Sequence, residues 1–243
     1  MPTPTLSDAR NQEEARQAAF DCRVFCCAGT ACLSAEGQDV WDALVDARTT
    51  HSLEDRIDLV RTGCMGLCSQ GPLVRVEMAD TEPQLYGKVS PMLARLIVTE
   101  HVTPALAKGE DFVVPDFLAS QALAPDLAFF TQQERVVLDR IDQADPERIE
   151  DALAHGAYQG LSAALKKQPS ELITTVEDSG LRGRGGGGYP TGNKWANAAG
   201  TPAEQRFVIC NGDEGDPGAY VDRSILEGDP HAVLEGMILT GFA

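Results

Sequence analysis

Aromatic residues are scarce, 6% of the 243-residue chain, and basic ones are few: 20 Lys and Arg stand against 37 Asp and Glu, a formal net charge of −17. So acidic a chain is poorly suited to gripping nucleic acid or an anionic membrane by electrostatics. No apolar run approaches the ~18 residues of a membrane span. The opening MPTPTLSDARNQEEARQ lacks the basic-then-apolar layout of an export signal. The seven cysteines are odd in number, which without such a signal argues against a disulfide framework and for metal ligands or buried thiols. A cytoplasmic protein is expected, at most peripheral on the cytoplasmic side of a membrane complex. What is there, 43% hydrophobic and 23% charged residues, is ordinary globular composition with room for two domains.

Residues 1–21 read as a polar N-terminal tail or helix. Arg23–Cys26 is a short apolar run, and Val40, Trp41, Leu44 and Val45 recur at helical spacing within Gln38–Arg48. Ile57–Thr62, Leu73–Met78 and Gln84–Val89 read as strands, the second with Leu73, Arg75 and Glu77 on one face and Val74, Val76 and Met78 on the other. Ser90-Pro91 reads as a helix cap with proline in the first turn. Residues 22–102 therefore form a β-α-β-β-β-α domain. Residues 103–133, carrying Pro104, Pro115 and Pro125, are expected as an extended linker. Helical spacing returns at Glu134–Ile141, Pro146–His155, Gln159–Lys167 and Ser170–Ser179, with Gly180 as a stop. A strand over Arg206–Cys210 and a last helix opening at Asp229-Pro230 complete a second unit, 134–243.

Cys27 and Cys32 are separated by four residues, Cys64 and Cys68 by three, and each pair lies in a glycine-marked loop beside a strand. Two close thiolate pairs with backbone free to wrap them suit a [2Fe–2S] cluster, which takes two thiolates per iron. Glycines also let N–H groups reach the sulfurs. Zinc, or plain buried thiols, are the alternatives. Cys26 competes with Cys27 as ligand; Cys22 is expected as a packed thiol and Cys210 as a small buried residue ending a strand.

Gly183, Gly185 and Gly188 satisfy G-x-G-x-x-G, but they follow a helix rather than a strand, so the dinucleotide fingerprint fails. Asn193 between Gly192 and Lys194 breaks the triphosphate-loop pattern as well. Clustered glycines nonetheless expose N–H groups to a ligand, and Arg182, Arg184 and Lys194 favour one that carries phosphate. Tyr189 and Trp195 offer flat faces for stacking. A flexible linker would be rich in Ser rather than Arg, Lys and Trp. Downstream, Asn211, Asp213, Glu214 and Asp216 offer acceptors for ribityl or ribose hydroxyls, and carboxylates there disfavour a 2′-phosphate. Gly215 breaks calcium-loop spacing; a solvated acidic loop is the plainer alternative. His51, His101, His155 and His231 form no cluster in sequence.

The run GLRGRGGGGYPTGNKW (180–195) with CNGDEGDPGAYVDRSILEGDPH (210–231) resembles the family of NADH/FMN-binding flavoprotein subunits of respiratory complex I. It looks closer still to diaphorase-type subunits of NAD(P)-reducing hydrogenases and NAD-dependent formate dehydrogenases. The cysteine spacing is similar to the thioredoxin-like [2Fe–2S] domain that precedes the flavin domain in many of them. Phe129-Phe130 through Gln133-Glu134-Arg135 is similar to their lead-in to that domain. The resemblance implies an α/β fold: an N-terminal thioredoxin-like [2Fe–2S] domain, then the first part of an α/β flavin/NADH-binding domain. It implies cluster ligands Cys27, Cys32, Cys64 and Cys68, and FMN contacts from Gly183, Arg184, Gly185, Lys194, Asn211, Asp213 and Glu214. Tyr189 would meet the NADH adenine, and Asp216 stands where relatives carry a glutamate near the nicotinamide. Ala196-Asn197 replaces an aromatic common in relatives. Members of the family continue beyond the segment that ends at Ala243, so a [4Fe–4S] cluster is expected only in the C-terminal region absent from this sequence.

The resemblance thus implies a subunit that moves electrons between NADH and iron–sulfur clusters through FMN, with other redox subunits of a hydrogenase, formate dehydrogenase or complex I-like arm as partners. No acid–base or nucleophilic residue is expected, because the flavin carries the chemistry. The alternative is a [2Fe–2S] electron carrier joined to a catalytically silent partial flavin domain.

Overall fold

A computed structural model describes residues 5–79, 81–124 and 126–243; Pro125 of the expected linker and the first four residues of the expected N-terminal segment lie outside the described residues. Helix α1 (Leu6–Gln17) opens on a capping box, with Thr5 accepting from Asp8 N–H and the Asp8 carboxylate accepting from Thr5 N–H. Strand β1 (Cys22–Cys27) leads through α2 (Thr30–Ser34) and α3 (Gly37–Thr50) to β2 (Ile57–Thr62), which pairs with β1 in parallel. β3 (Val74–Met78) runs antiparallel to β1, and β4 (Gln84–Tyr86) antiparallel to β3, giving the order β2-β1-β3-β4. This is the expected α/β unit with a mixed sheet.

Strand alternation sorts the core into two faces. Val24, Cys26, Val74, Val76 and Tyr86 pack with Val40, Leu44 and Ala47 of α3 and with Ile97 and Val98. Phe25, Cys27, Val60 and Leu73 face the other way, toward Cys32 and Met65. On this second face Phe25 lies between the guanidinium groups of Arg23 and Arg75, 4.8 and 4.4 Å from the ring centre.

Ser90 caps α4 (Pro91–Leu96) by accepting from Leu93 N–H at 3.2 Å, as the Ser-Pro signal implies. The helix then widens into a π turn, Ile97–Val102, before α5 (Thr103–Lys108). Pro104 has no N–H to return to the preceding turn, and Thr103 Oγ1 donates to Val98 O at 2.8 Å across the widened stretch. The segment expected as an extended linker instead holds short helices, α5, α6 (Asp116–Ala119) and α7 (Ala128–Thr131), with Leu118 fully buried against the first face.

The remaining helices are α8 (Ile149–Ala154), α9 (Gln159–Ala164), α10 (Pro169–Asp178), α11 (Thr191–Gly200), α12 (Val221–Gly228) and α13 (Pro230–Phe242). Two sequence expectations fail here. Glu134–Ile141 forms turns rather than a helix, because its apolar residues share no common partner surface: Val136 is 79% exposed and Val137 exposed while Ile141 at its end is buried, and ion pairs Arg135–Asp142 and Arg140–Asp229 tie the segment down instead. Arg206–Cys210 is not a strand. No described strand pairs with it, so Phe207 and Ile209 are exposed at 77% and 85%, and Cys210 is exposed rather than buried. Arg206 instead donates to the carbonyls of Ala198, Ala199 and Thr201 at the end of α11.

A buried ion network joins the second face of the sheet to α1 and α8. Asp58 accepts from Arg16 and Arg23, and Asp151, 1% exposed, accepts from Gln17 and from Asp145 N–H beside Arg23. Each buried carboxylate thus has a cation or several donors, which its burial requires.

Candidate functional site

The four paired cysteines meet at one end of the sheet. Cys27 ends β1, where its N–H donates to Leu73 O at 3.1 Å, and Cys32 sits in the α2 turn that follows. The second loop leaves β2 through Gly63 and brings Cys64 and Cys68 alongside. Cys64 Sγ lies 3.6 Å from Cys68 Sγ, and Cys27 and Cys32 share one buried cluster with Met65, the residue after Cys64. Backbone donors reach two of the sulfurs: Met65 N–H to Cys27 Sγ at 3.5 Å and Gly66 N–H to Cys64 Sγ at 3.3 Å. Gly66 holds φ +94°, a conformation that aims its N–H back at the sulfur and that other residues rarely adopt. A methyl on Gly71 would lie 2.8 Å from Cys32 Sγ, so the backbone there approaches as closely as a glycine allows.

Strand alternation sets the two candidate ligands on β1 on opposite faces. Cys27 joins Cys32 on the second face, whereas Cys26 and Cys22 pack into the core on the first. Burial pushes the Cys22 and Cys26 thiols up to about 12, as suits inert packed groups. The site cysteines grade from buried Cys27 and Cys32 through half-buried Cys64 to exposed Cys68. Hydrogen bonding to Cys32 and burial hold the Cys27 thiol up at about 11; hydrogen bonding to Cys27 and burial raise Cys64 too. So many thiols gathered at one place do not ionise together unless a cation sits among them.

The donor set fits a thiolate-ligated metal centre. Two thiolates on one tetrahedral metal at ~2.3 Å stand ~3.8 Å apart, close to the Cys64–Cys68 separation of 3.6 Å. Among the described residues, no three His, Cys, Asp or Glu side chains are arranged to hold a single ion. The sulfurs instead fall in two pairs, Cys27 with Cys32 in one buried cluster and Cys64 with Cys68 at 3.6 Å. Two pairs are what a [2Fe–2S] cluster takes, two thiolates on each iron.

The glycine loop is built differently. Gly180, at φ +68°, ends α10 as its position implies. Arg182 and Pro190 then form an antiparallel bridge, Gly183 N–H donates to Tyr189 O at 2.9 Å, and Thr191 N–H donates to Leu181 O at 2.8 Å. The loop between them projects outward. Methyls on Gly185, Gly186, Gly187 or Gly188 would meet nothing within 4 Å; the backbone asks for glycine at Gly186 and Gly188, at φ +103° and +59°, and packing asks for it at none of the four. That open space fits a cradle for a ligand. Arg182 Nη1 donates to Gly188 O at 2.9 Å, so this arginine closes the loop rather than extending from it. Lys194 lies in the first turns of α11, and Tyr189 Oη accepts from Asn197 at 3.4 Å. Sequence reasoning passed over Gly192: a methyl there would lie 2.6 Å from Glu177 Cα and N, so it is the close contact of α10 with α11.

In the acidic turn, Asn211 Oδ1 accepts from Asp213 N–H at 3.0 Å, and Asp216 O accepts from Ala219 N–H at 3.0 Å. The Glu214 carboxylate accepts from Val221 N–H at 2.9 Å and from Arg223 N–H at 3.0 Å, capping α12. Among the described residues no hydrogen bond joins this turn to the glycine loop. The structure therefore brings the four cysteines together and leaves the glycine loop and the acidic turn on separate helix pairs. His231, at the start of α13, pairs with Tyr158 Oη at 2.9 Å in a buried structural contact.

Residues 176–243 match the Nuo51 FMN-binding domain family. Over 112 residues the chain is 47% identical to the NADP-reducing hydrogenase subunit HndC of Solidesulfovibrio fructosivorans, covering 46% of this chain and 23% of that protein. It is 44% identical over 108 residues to a subunit of the NADH-quinone oxidoreductase of Aquifex aeolicus, covering 44% and 25%. The alpha subunit of the NAD-reducing hydrogenase HoxS of Cupriavidus necator is 29% identical over 189 residues, 76% of this chain and 28% of that one. The chain thus spans about a quarter of the length of these curated relatives. Among solved structures, a thioredoxin-like [2Fe–2S] ferredoxin from Aquifex aeolicus aligns at 23% identity and TM-score 0.35, over 44% of this chain and 93% of that one. An NAD⁺-reducing [NiFe]-hydrogenase chain aligns at 21% identity and TM-score 0.38, over 96% and 38%.

Proposed function

We propose that the chain serves electron transfer between NADH and iron–sulfur centres through FMN, as part of a multi-subunit NADH dehydrogenase-type oxidoreductase. The observation that carries this reading is the joining, in one chain, of four thiols gathered in two pairs at one end of the sheet with a segment that matches an FMN-binding domain family. Cys27, Cys32, Cys64 and Cys68 would hold a [2Fe–2S] cluster, with Met65 and Gly66 N–H groups donating to its thiolates. Gly183, Arg184, Gly185 and Lys194, with Asn211, Asp213 and Glu214, are the proposed FMN contacts; Tyr189 and Asp216 are proposed for NADH. FMN, when bound, accepts the two electrons of a hydride and passes them on singly. The chain's share is to bind, orient and exclude water: open amides and cations at the glycine loop, acceptors in the acidic turn, and a half-buried thiol pocket.

The relatives' names describe subunits of hydrogenases and quinone-linked oxidoreductases, so redox subunits are the proposed partners. No helix among the described residues is long and apolar enough to cross a membrane, in keeping with the proposed cytoplasmic location. A second reading, a [2Fe–2S] carrier with a silent flavin segment, is favoured for this chain alone by the separation of its glycine loop from its acidic turn and by the unpaired 206–210 run.

Anaerobic reconstitution with ferrous iron, sulfide and FMN, followed by NADH, separates the two. Loss of visible flavin absorbance is expected on the first reading; a cluster spectrum without flavin response supports the second. Cys64→Ser is expected to abolish the cluster, and unchanged iron stoichiometry in that variant would refute the ligand set.

A further inference from the structure

The thiol loop and the acidic turn are distant in sequence, yet a single helix touches both. α12 starts on the Glu214 carboxylate, which holds the N–H groups of Val221 and Arg223. It ends at buried Gly228, and there it meets the thiol loop backbone to backbone. A methyl on Gly63 would lie 2.6 Å from Gly228 Cα and 2.7 Å from Ile141 Cγ1; one on Gly228 would strike Ile141 and lie 3.3 Å from Gly63 Cα. Gly63 immediately precedes Cys64. The seam is fastened behind by Asp229, next after Gly228, whose carboxylate meets Arg140 at 2.8 Å, next before Ile141. A cleft of about 590 Å³ runs alongside, with Cys64 and Cys68 on one wall and Tyr220, Arg223 and Glu227 on the other.

Close-packed backbone transmits displacement because neither side has room to yield. We propose that Gly63 and Gly228 are positioning residues whose contact couples metal loading at Cys64 and Cys68 to the acidic turn, through α12 and Glu214. The inference rests on the thiol site being a metal centre, as proposed above, and adds a route by which that centre and the flavin motif sense each other. The helix is eight residues long, a strut of ~12 Å with one end on each site. Such coupling is reciprocal, so a ligand that orders the acidic turn would also favour the loaded thiol loop.

The test is hydrogen exchange at the Val221 and Arg223 amides in the full chain, with and without ferrous iron and sulfide. Loading is expected to slow exchange about tenfold, and Gly228→Ala to cut that ratio below about twofold while iron content holds. Adding Ile141→Ala to Gly228→Ala removes the side chain that the new methyl strikes and is expected to restore the ratio. Gly236→Ala, whose methyl meets nothing within 4 Å, is expected to leave it unchanged. Full iron content with equal exchange in the loaded and unloaded natural chain overturns the inference and leaves the metal centre standing. An undiminished ratio in Gly228→Ala does the same. Failure of the natural chain to take up iron overturns both. Should Gly228→Ala fail to fold, the exchange ratio of the natural chain carries the test alone, and a ratio near one overturns the inference.

Discussion

Cys26 and Cys27 are consecutive residues of one strand and stand on opposite faces of the sheet, Cys26 among Val24, Val74 and Val76, Cys27 against Cys32. The two thiols share a chemistry and differ only in which way the pleat turns them. Cys27→Ser is therefore expected to abolish iron loading, while Cys26→Ala keeps full iron stoichiometry and costs about 1 kcal/mol of stability through lost packing. Iron assay and denaturant titration on the two variants check this; equal iron loss in both would contradict the face assignment.

His101 Nδ1 meets Tyr86 Oη at 2.8 Å in the core, with Phe112 stacked on the ring, and burial lowers its pKa to about 4. Its folded value lies below the ordinary 6.5, so the unfolded chain binds the extra proton first as pH falls. Stability from this group is whole above about pH 6.5 and is lost progressively down to about pH 4, by up to roughly 3 kcal/mol. Denaturant midpoints measured across that window should fall more steeply for the natural chain than for His101→Gln.

Asp151 is buried beside Arg23 and accepts from Gln17 and Asp145 N–H. Removing its carboxylate leaves the half-buried Asp145 N–H without its acceptor and takes one of two carboxylates from the largely buried Arg23 guanidinium, which keeps Asp58. Asp151→Ala should cost about 3 kcal/mol, with Asp151→Asn costing less because an amide oxygen still accepts. Thermal or urea unfolding of the two variants tests the order.

Gly192→Ala places a methyl against the backbone of Glu177, where no rotamer change gives relief. A loss of about 2 kcal/mol or more is expected. Gly200→Ala, at the far end of the same helix, meets nothing and should stay within about 0.5 kcal/mol. Unfolding midpoints of the pair give the comparison.

The elements legible in the sequence were those whose local signals agreed with their surroundings. Ile57–Thr62 is a strand over its whole expected length, and Ser90 and Asp229 cap the helices their following prolines announce. Glu134–Ile141 and Arg206–Cys210 misled for one reason: periodicity and an apolar run state what a segment is able to bury, while a helix face or a strand edge forms only where a partner surface exists. Gly228 and Gly192 carried no readable signal and Gly63 only its place beside the cysteine loop, since a glycine required by the approach of another backbone looks like any other glycine.

By itself the sequence determined the spacing of the thiols, the clustering of glycines and cations, and the order of strands and helices in the first unit. These arise from neighbours along the chain, where capping, pleat and turn geometry act over a few residues. Only the tertiary structure decided which of two adjacent cysteines joins the site, that Arg182 closes its loop, and that Glu214 holds a helix whose other end rests on the thiol loop. Those outcomes depend on which surfaces meet, and close packing of distant segments is settled by the whole fold at once.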